Sequence, residues 1–245
     1  MKHLDLTLPS PAANLALEES LLDAAETGLS GEMLRFWESP THFVVVGYAN
    51  KVASEVNVAA CETNGIPILR RCSGGGTVVQ GPGCLNYAVI LRITENVPTR
   101  SISAANEYIM ERTRRAIAPL TSDLRLQTSD LRVSVRGHTD LALGNLKFSG
   151  NAQRRRKNFL LFHGTLLLNF NLPLISELLN MPSLQPDYRD GRAHEQFIMN
   201  LGLAAEVVKR ALITEWQAID AATPAPPIPP DLLQKYNSAE WNNKF

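Results

Sequence analysis

The chain of 245 residues is poor in cysteine, and the three it has exclude more than they suggest. Cys61, Cys72 and Cys84 form no Cys-x-x-Cys pair, and bridging any two strands the third, so neither a disulfide framework nor a zinc site is expected and the thiols read as reduced. Net charge is lacking too. Lysine and arginine number 24 and aspartate and glutamate 24, so no global field draws the protein to nucleic acid or an anionic membrane, and any positive patch must be local. No uninterrupted apolar run reaches spanning length, and the N-terminal Met-Lys-His-Leu-Asp-Leu-Thr-Leu-Pro has no apolar signal region, which makes the cytoplasm the expected compartment. There is no internal repeat, no Gly-Lys-Ser/Thr of a P-loop and no Gly-x-Gly-x-x-Gly of a dinucleotide fold. What is present is 44% hydrophobic residues, enough to fill a substantial core in one large domain or two small ones.

Fixed charge and backbone freedom coincide at one stretch, residues 70–87: Arg-Arg-Cys-Ser-Gly-Gly-Gly-Thr-Val-Val-Gln-Gly-Pro-Gly-Cys-Leu-Asn-Tyr. Gly74, Gly75 and Gly76 can take positive φ and let backbone N–H groups converge on an anion. Arg70 and Arg71 supply planar, permanently charged donors suited to a carboxylate or a phosphate. Apolar runs at 66–69 and 87–93 read as buried strands that would hold the loop between them. A glycine-rich hairpin with two solvated arginines is the plainer reading of the same residues.

In chain order, alternation predicts a strand at 3–8, and leucines spaced among acids predict an amphipathic helix at 14–25 with Asn14 at its N-cap. Strands follow at 34–37 and 43–46, then a short helix at 56–64 closed by Gly65. A helix is expected at 103–120, ended by Pro119, and a strand at 127–135. Residues 137–153 read as strand, Gly144-Asn145 turn, strand, which puts Lys147 just past a tight turn beside Ser149 and Gly150, with Asp140 on the opposing strand. The basic run 154–157 reads as a solvated hairpin tip, 160–168 as a buried strand containing His163, 172–180 and 204–219 as helices, and 183–194 as a polar loop. Residues 223–230, rich in proline, form a stiff connector before a C-terminal segment, 231–245, that is a short helix or a tail. Strands alternating with helices and several hairpins indicate an α/β or α+β single domain, a mixed sheet with helices packed on it.

Two spaced stretches together resemble the lipoate-protein ligase A family, within the wider group that includes octanoyltransferases and biotin protein ligases. Arg70-Arg71-Cys72-Ser73-Gly74-Gly75-Gly76-Thr77 is similar to its Arg-Arg-x-Ser-Gly-Gly-Gly loop, and Lys147-Phe148-Ser149-Gly150-Asn151-Ala152 to its lysine motif. Asp140, His163-Gly164-Thr165-Leu166-Leu167 and the Asn14 to Glu19 segment fit the flanking parts, so the resemblance runs over roughly residues 10–245. It implies a biotin/lipoate protein ligase-like catalytic domain with a mixed, mostly antiparallel sheet. The implied activity uses ATP to make lipoyl-AMP from lipoate and passes the acyl group to a lysine of a lipoyl carrier domain or a glycine-cleavage H-type protein. It further implies Lys147 as the catalytic cation and Arg70, Arg71, Ser73, Gly74, Gly75, Gly76, Thr77, Asn86, Ser149, Gly150, Ala152 and His163 as substrate or adenylate contacts. Asp140 would hold Mg²⁺, as a hard oxygen ligand does. Trp37 and Val46 are candidates for the apolar wall, and the basic run 154–157 for steering an acidic carrier.

The match departs at two places. Cys84 stands where an asparagine is common, and a thiol near two arginines opens an octanoyl or lipoyl transferase working through an acyl thioester, although no cysteine lies near or beyond the lysine motif. The C-terminal Glu240-Trp241-Asn242 resembles the end of the catalytic domain, so a separately encoded accessory subunit is expected to assist adenylation. A non-catalytic carrier-binding module is a third reading, which would show no dependence on Lys147.

Overall fold

The computed structural model describes residues 1–95, 98–122, 132–182, 184–222 and 225–245. Its strands are β1 (Lys2–Asp5), β2 (Met33–Trp37), β3 (Phe43–Val46), β4 (Ile68–Arg70), β5 (Val78–Gln80), β6 (Cys84–Arg92), β7 (Val133–Arg136), β8 (Asp140–Leu143), β9 (Leu146–Arg155), β10 (Phe159–Leu167) and β11 (Asp220–Ala221). The helices are α1 (Pro11–Glu26), α2 (Val52–Glu55), α3 (Val58–Thr63), α4 (Ile102–Ile117), α5 (Pro173–Leu178), α6 (His194–Phe197), α7 (Ala205–Trp216), α8 (Pro230–Asn237) and α9 (Ala239–Asn242). A large sheet runs in the order β11-β1-β2-β6-β10-β9-β8-β7, and a small one in the order β4-β3-β5. Pairing is parallel for β1 with β2 and β11 and for β3 with β4, and antiparallel elsewhere.

Strand alternation divides the large sheet into two unlike faces. On one, Leu34, Phe36, Tyr87, Val89, Leu160, Phe162 and Phe148 pack against Ile109, Met110 and Ile117 of α4 and Val208, Leu212 and Trp216 of α7. The opposite face packs Ala88, Ile90 and Leu161 on Leu17, Leu21 and Leu22 of α1. Further along that face, Gly150, Thr165, Asn86 and Trp37 lie side by side across β9, β10, β6 and β2. This mixed row is where the candidate site forms.

Several boundaries differ from the sequence expectation, each for a local reason. α1 begins earlier: Ser10 is the N-cap, its Oγ accepting from the Ala13 N–H at 3.2 Å, with Pro11 in the first turn, where a missing N–H costs nothing. Asn14 is instead buried and bonded to both backbone groups of Leu8 and to Arg35. The 3–8 strand is β1 alone, and α3 is capped by Asn57 and followed by Gly65 at φ +63°. The stretch 70–87 is not one loop between two strands. β5 forms inside it as an edge of the small sheet, and β6 begins at Cys84. Of the strand expected at 127–135, residues 127–131 lie outside the described residues, and β7 starts at Val133.

The basic run is a hairpin tip only in its second half: Arg156 and Lys157 lie in the connection from β9 to β10, while Arg154 and Arg155 belong to β9. β9 continues through Arg155, whose Nη2 donates to the Thr99 carbonyl at 2.9 Å, and Arg156 pairs with Asp23 and Glu19. The C-terminal segment forms α8, packed on α1, and α9, packed on β4. Among the described residues no helix is long and apolar enough to cross a membrane.

Candidate active site

Between the mixed face of the large sheet and the small sheet lies a cavity of about 730 Å³. Lys147 reaches it because β9 breaks step with β8: Leu141 pairs with Ser149 but Ala142 pairs with Lys147, so an extra β9 residue is accommodated here. That irregularity lets Phe148 enter the core under α4 while Lys147 two strand positions from Ser149 faces the cavity. Lys147 Nζ lies 2.8 Å from Asp140 Oδ1, and the Tyr188 hydroxyl donates to Asp140 Oδ2 at 2.9 Å. Burial and then the Asp140 charge push the Tyr188 phenol far above its usual value, so it remains a donor. A Cβ at Gly150 would stand 3.1 Å from both Cε and Nζ of Lys147, so the absence of a side chain there gives the lysine its room.

The glycine loop is built from the inside by Arg71. Its Nη2 donates to the Gly74 and Gly76 carbonyls at 2.6 and 2.7 Å, and its Nε to Ser73 Oγ at 3.0 Å. Tyr48 N–H donates to the Ser73 carbonyl and Asn50 Nδ2 to that of Gly75. With these carbonyls held, the N–H groups of Gly74, Gly75 and Gly76 make no hydrogen bond among the described residues. Gly75 takes φ +85° and sits against Ala152 of β9, where a Cβ would lie 3.3 Å from the alanine Cβ. Burial pulls the Arg71 guanidinium down to about 10, which still leaves it cationic at neutral pH.

Behind the loop runs a buried polar chain that the sequence did not disclose. Ser73 Oγ is 2.5 Å from His163 Nε2, and His163 Nδ1 is 2.5 Å from Glu18 Oε2. Glu18 Oε1 accepts from Trp37 Nε1 at 2.7 Å and stands 3.6 Å from Arg35 Nη1. Burial raises the Glu18 carboxyl, but His163, Arg35 and Trp37 together outweigh it and hold it below its ordinary value. Glu18 and His163 are 145 positions apart in the chain, which is why no local pattern marks the pair.

Of the residues singled out from the sequence, Lys147, Asp140, Arg71, Gly75, Gly76, Thr77, Asn86, Ser149, Gly150, Ala152 and His163 all line this cavity. Arg70, Ser73 and Gly74 do not. Arg70 is fully buried and donates to the carbonyls of Gly47, Tyr48, Asn50 and Trp241, so it ties neighbouring loops together instead of facing a ligand. On β3 it is Val45, not Val46, that faces the cavity, a one-residue shift that reverses the face. The sequence reading missed Glu18, Gln80, Thr165, Arg189 and His194 on the wall. All three thiols are free and buried; burial pushes Cys72 up to about 12 and Cys84 higher still, and neither lines the cavity. Among the described residues no three His, Cys, Asp or Glu side chains are grouped to hold a metal.

Two sheets thus bring a lysine and an arginine-backed glycine loop to face one cavity. Residues 10–214 match the lipoyl protein ligase A/B catalytic domain, and the chain belongs to that family. It is 34% identical over 170 residues to a putative lipoate-protein ligase A of Aeropyrum pernix, covering 67% of this chain and 56% of that protein. It is 26% identical to lipoate-protein ligase A subunit 1 of Thermoplasma acidophilum, covering 94% of this chain and 90% of that one. Octanoyltransferase LipM of Halalkalibacterium halodurans is 28% identical, with 82% of this chain and 80% of the relative covered. Thus the chain spans about half of some relatives, including 50% of the Mycoplasma pneumoniae ligase, and nearly all of others. The fold is that of a lipoate-protein ligase A crystallised with ATP, with TM-score 0.77 at 23% identity over 99% of both chains.

Proposed function

We propose that this chain is the catalytic unit of a lipoate-protein ligase, a single domain that activates lipoate with ATP as lipoyl-AMP and transfers the acyl group to a lysine of a lipoyl carrier domain in the cytoplasm. The observation that carries it is the placing of Lys147 and the Arg71-backed glycine loop on one cavity. Activation brings a carboxylate to a polyanionic α-phosphate, so the barrier is dominated by like charge that fixed cations and N–H groups offset. One N–H of Lys147 is spent on Asp140, which aims the ammonium and leaves its other donors for the carboxylate and the phosphate. The N–H groups of Gly75 and Gly76 supply further donors, while Arg71 contributes charge from behind them. Activation forms the acyl–phosphate bond and releases pyrophosphate; in transfer, the neutral carrier amine attacks the acyl carbonyl, the bond to the phosphate breaks, the amine's proton passes to solvent and AMP departs, its negative charge held by the same groups.

Mg²⁺ fits here only as an ion carried by the nucleotide. Asp140 offers one carboxylate whose two oxygens already accept from Lys147 and Tyr188, a donor set suited to sharing an ion with phosphates and waters but not to caging one. Such an ion would neutralise phosphate charge, with Asp140 its protein ligand.

The likeness to a ligase subunit 1, together with a bipartite ligase from the same archaeon that shares the fold, supports dependence on a separate accessory subunit for the adenylation step. Carriers would be an E2-type lipoyl domain or a glycine-cleavage H-type protein. The octanoyltransferase relatives favour a second reading, acyl transfer from an octanoyl thioester, which the buried cysteines do not support as a covalent route. The test is to incubate the protein with Mg-ATP, lipoate and an apo-lipoyl domain and read the domain's intact mass, with parallel reactions given lipoyl-AMP or octanoyl-acyl-carrier protein. Modification from ATP and lipoate, or from lipoyl-AMP alone if the accessory subunit is required, is expected. Modification only from the octanoyl donor, or from none, contradicts the reading.

A further inference from the structure

Gln80, Thr165 and Asn86 line the cavity at 7%, 8% and 2% exposure, and they form a chain that stops short at both ends. Gln80 Nε2 donates to Thr165 Oγ1 at 3.1 Å, and Thr165 Oγ1 donates to Asn86 Oδ1 at 3.0 Å. Gln80 Oε1 and Asn86 Nδ2 are buried without a hydrogen-bond partner among the described residues. Exchanging O and N in both amides reverses the direction of the chain but still leaves one acceptor and one donor over, so the mismatch does not depend on how the amides are oriented. Buried polar groups are ordinarily satisfied, and a pair left unpaired on a cavity wall points to a ligand.

Position says which part of a ligand. The row Gly150, Thr165, Asn86, Trp37 crosses adjacent strands, and Lys147 Nζ lies against Gly150. Asn86 is therefore two strand spacings, about 10 Å, across the sheet from the lysine end, a distance comparable with an extended medium-chain acyl group. A chain whose carboxyl end is at Lys147 runs past Thr165 and brings its far half to Asn86 and the Trp37 ring.

We propose that Gln80, Thr165 and Asn86 form a polar specificity subsite that favours an acyl chain bearing sulfur in its far half over a saturated chain of the same length. Sulfur accepts weakly from the spare amide N–H and makes favourable contact with an aromatic ring, here Trp37; in a dithiol form its S–H also donates to the spare amide oxygen. A saturated chain covers both amide groups and satisfies neither. This inference rests on the lipoate reading and deepens it.

The experiment is a competition between lipoate and octanoate, by calorimetric binding and by transfer from the preformed acyl-adenylates, on the wild-type chain and on Gln80→Met/Asn86→Leu and Gln80→Met/Thr165→Val/Asn86→Leu, which remove both unpaired amide groups. The wild type should favour lipoate by about tenfold, the range that one pocket contact supplies. Both variants should bring the ratio close to one mainly by improving octanoate binding, with thermal stability checked alongside. Equal binding of the two acids by the wild type overturns the proposal, as does an unchanged ratio in a folded Gln80→Met/Thr165→Val/Asn86→Leu, the result expected if an ordered water satisfies the amides. In either case transfer of both acyl groups leaves the ligase reading standing, whereas absence of binding and transfer for both acids removes the reading and this inference together.

Discussion

Glu18 links the stability of the site to pH. Its folded pKa is held below the ordinary 4.5, so its contribution is fully present above that value and is lost as pH falls through the folded pKa, where the unfolded chain has already taken up the proton. The melting temperature should therefore drop on acidification below the ordinary glutamate range, and Glu18→Gln should be less stable at neutral pH with a flatter acid limb. A parallel acid limb in the variant would show that the dependence arises elsewhere. The thiols give a second prediction at this scale. Because Cys72 and Cys84 are buried and protonated, the native protein should resist alkylating reagents, and Cys84→Ala should transfer acyl groups as the wild type does. Trapping of an acyl thioester on either cysteine by intact mass would contradict this. At residue level the sequence disclosed the chemistry through its motifs, Lys147, Asp140 and the glycines, but not the side chains that place them. Glu18 looked like one more acid on an amphipathic helix, and Arg70 and Arg71 looked alike until the fold turned one toward neighbouring loops and the other beneath the glycines.

Among the elements, the glycine loop depends on close backbone approach outside its own three glycines. A Cβ on Gly47 would stand 2.1 Å from the Gly75 carbonyl oxygen, a backbone atom that can yield only by moving the loop. Gly47→Ala should leave the two sheets folded but weaken acyl-adenylate binding roughly hundredfold, as displacement of a positioned group by an ångström does. Near-wild-type binding in a calorimetric titration would show the loop to be plastic. On the other side, α9 clasps β4: Asn242 Oδ1 accepts from the Arg70 N–H at 2.9 Å, and Trp241 Nε1 donates to the Arg70 carbonyl at 2.8 Å. Asn242→Ala leaves that buried N–H unpaired and should cost about 1–3 kcal/mol in denaturant unfolding. Periodicity made most of these elements legible, since α1, α4, α7 and β10 bury one face or a continuous run. It failed where tertiary pairing decides: β5 within the glycine-rich stretch, the β9 irregularity that turns Lys147 inward, and Arg154 and Arg155 drawn into a strand.

For the whole molecule, two sheets meet over one cavity and bring distant segments into a single polar and apolar surface. The local motifs could announce a family and its chemistry, but the order β2-β6-β10-β9 places residues from three well-separated segments, β2, β6 and the β9–β10 hairpin, in one row, and no short window of sequence contains that row. The central claim is that Lys147 works on an acyl-adenylate held in this cavity. Its most direct measurement is single-turnover transfer from preformed lipoyl-AMP to an apo-lipoyl domain, which bypasses any need for an accessory subunit, comparing the wild type with Lys147→Ala. The account predicts rapid modification by the wild type and a loss of at least about hundredfold in the variant, with the folded state unchanged by circular dichroism. Equal transfer rates for the two proteins would contradict it.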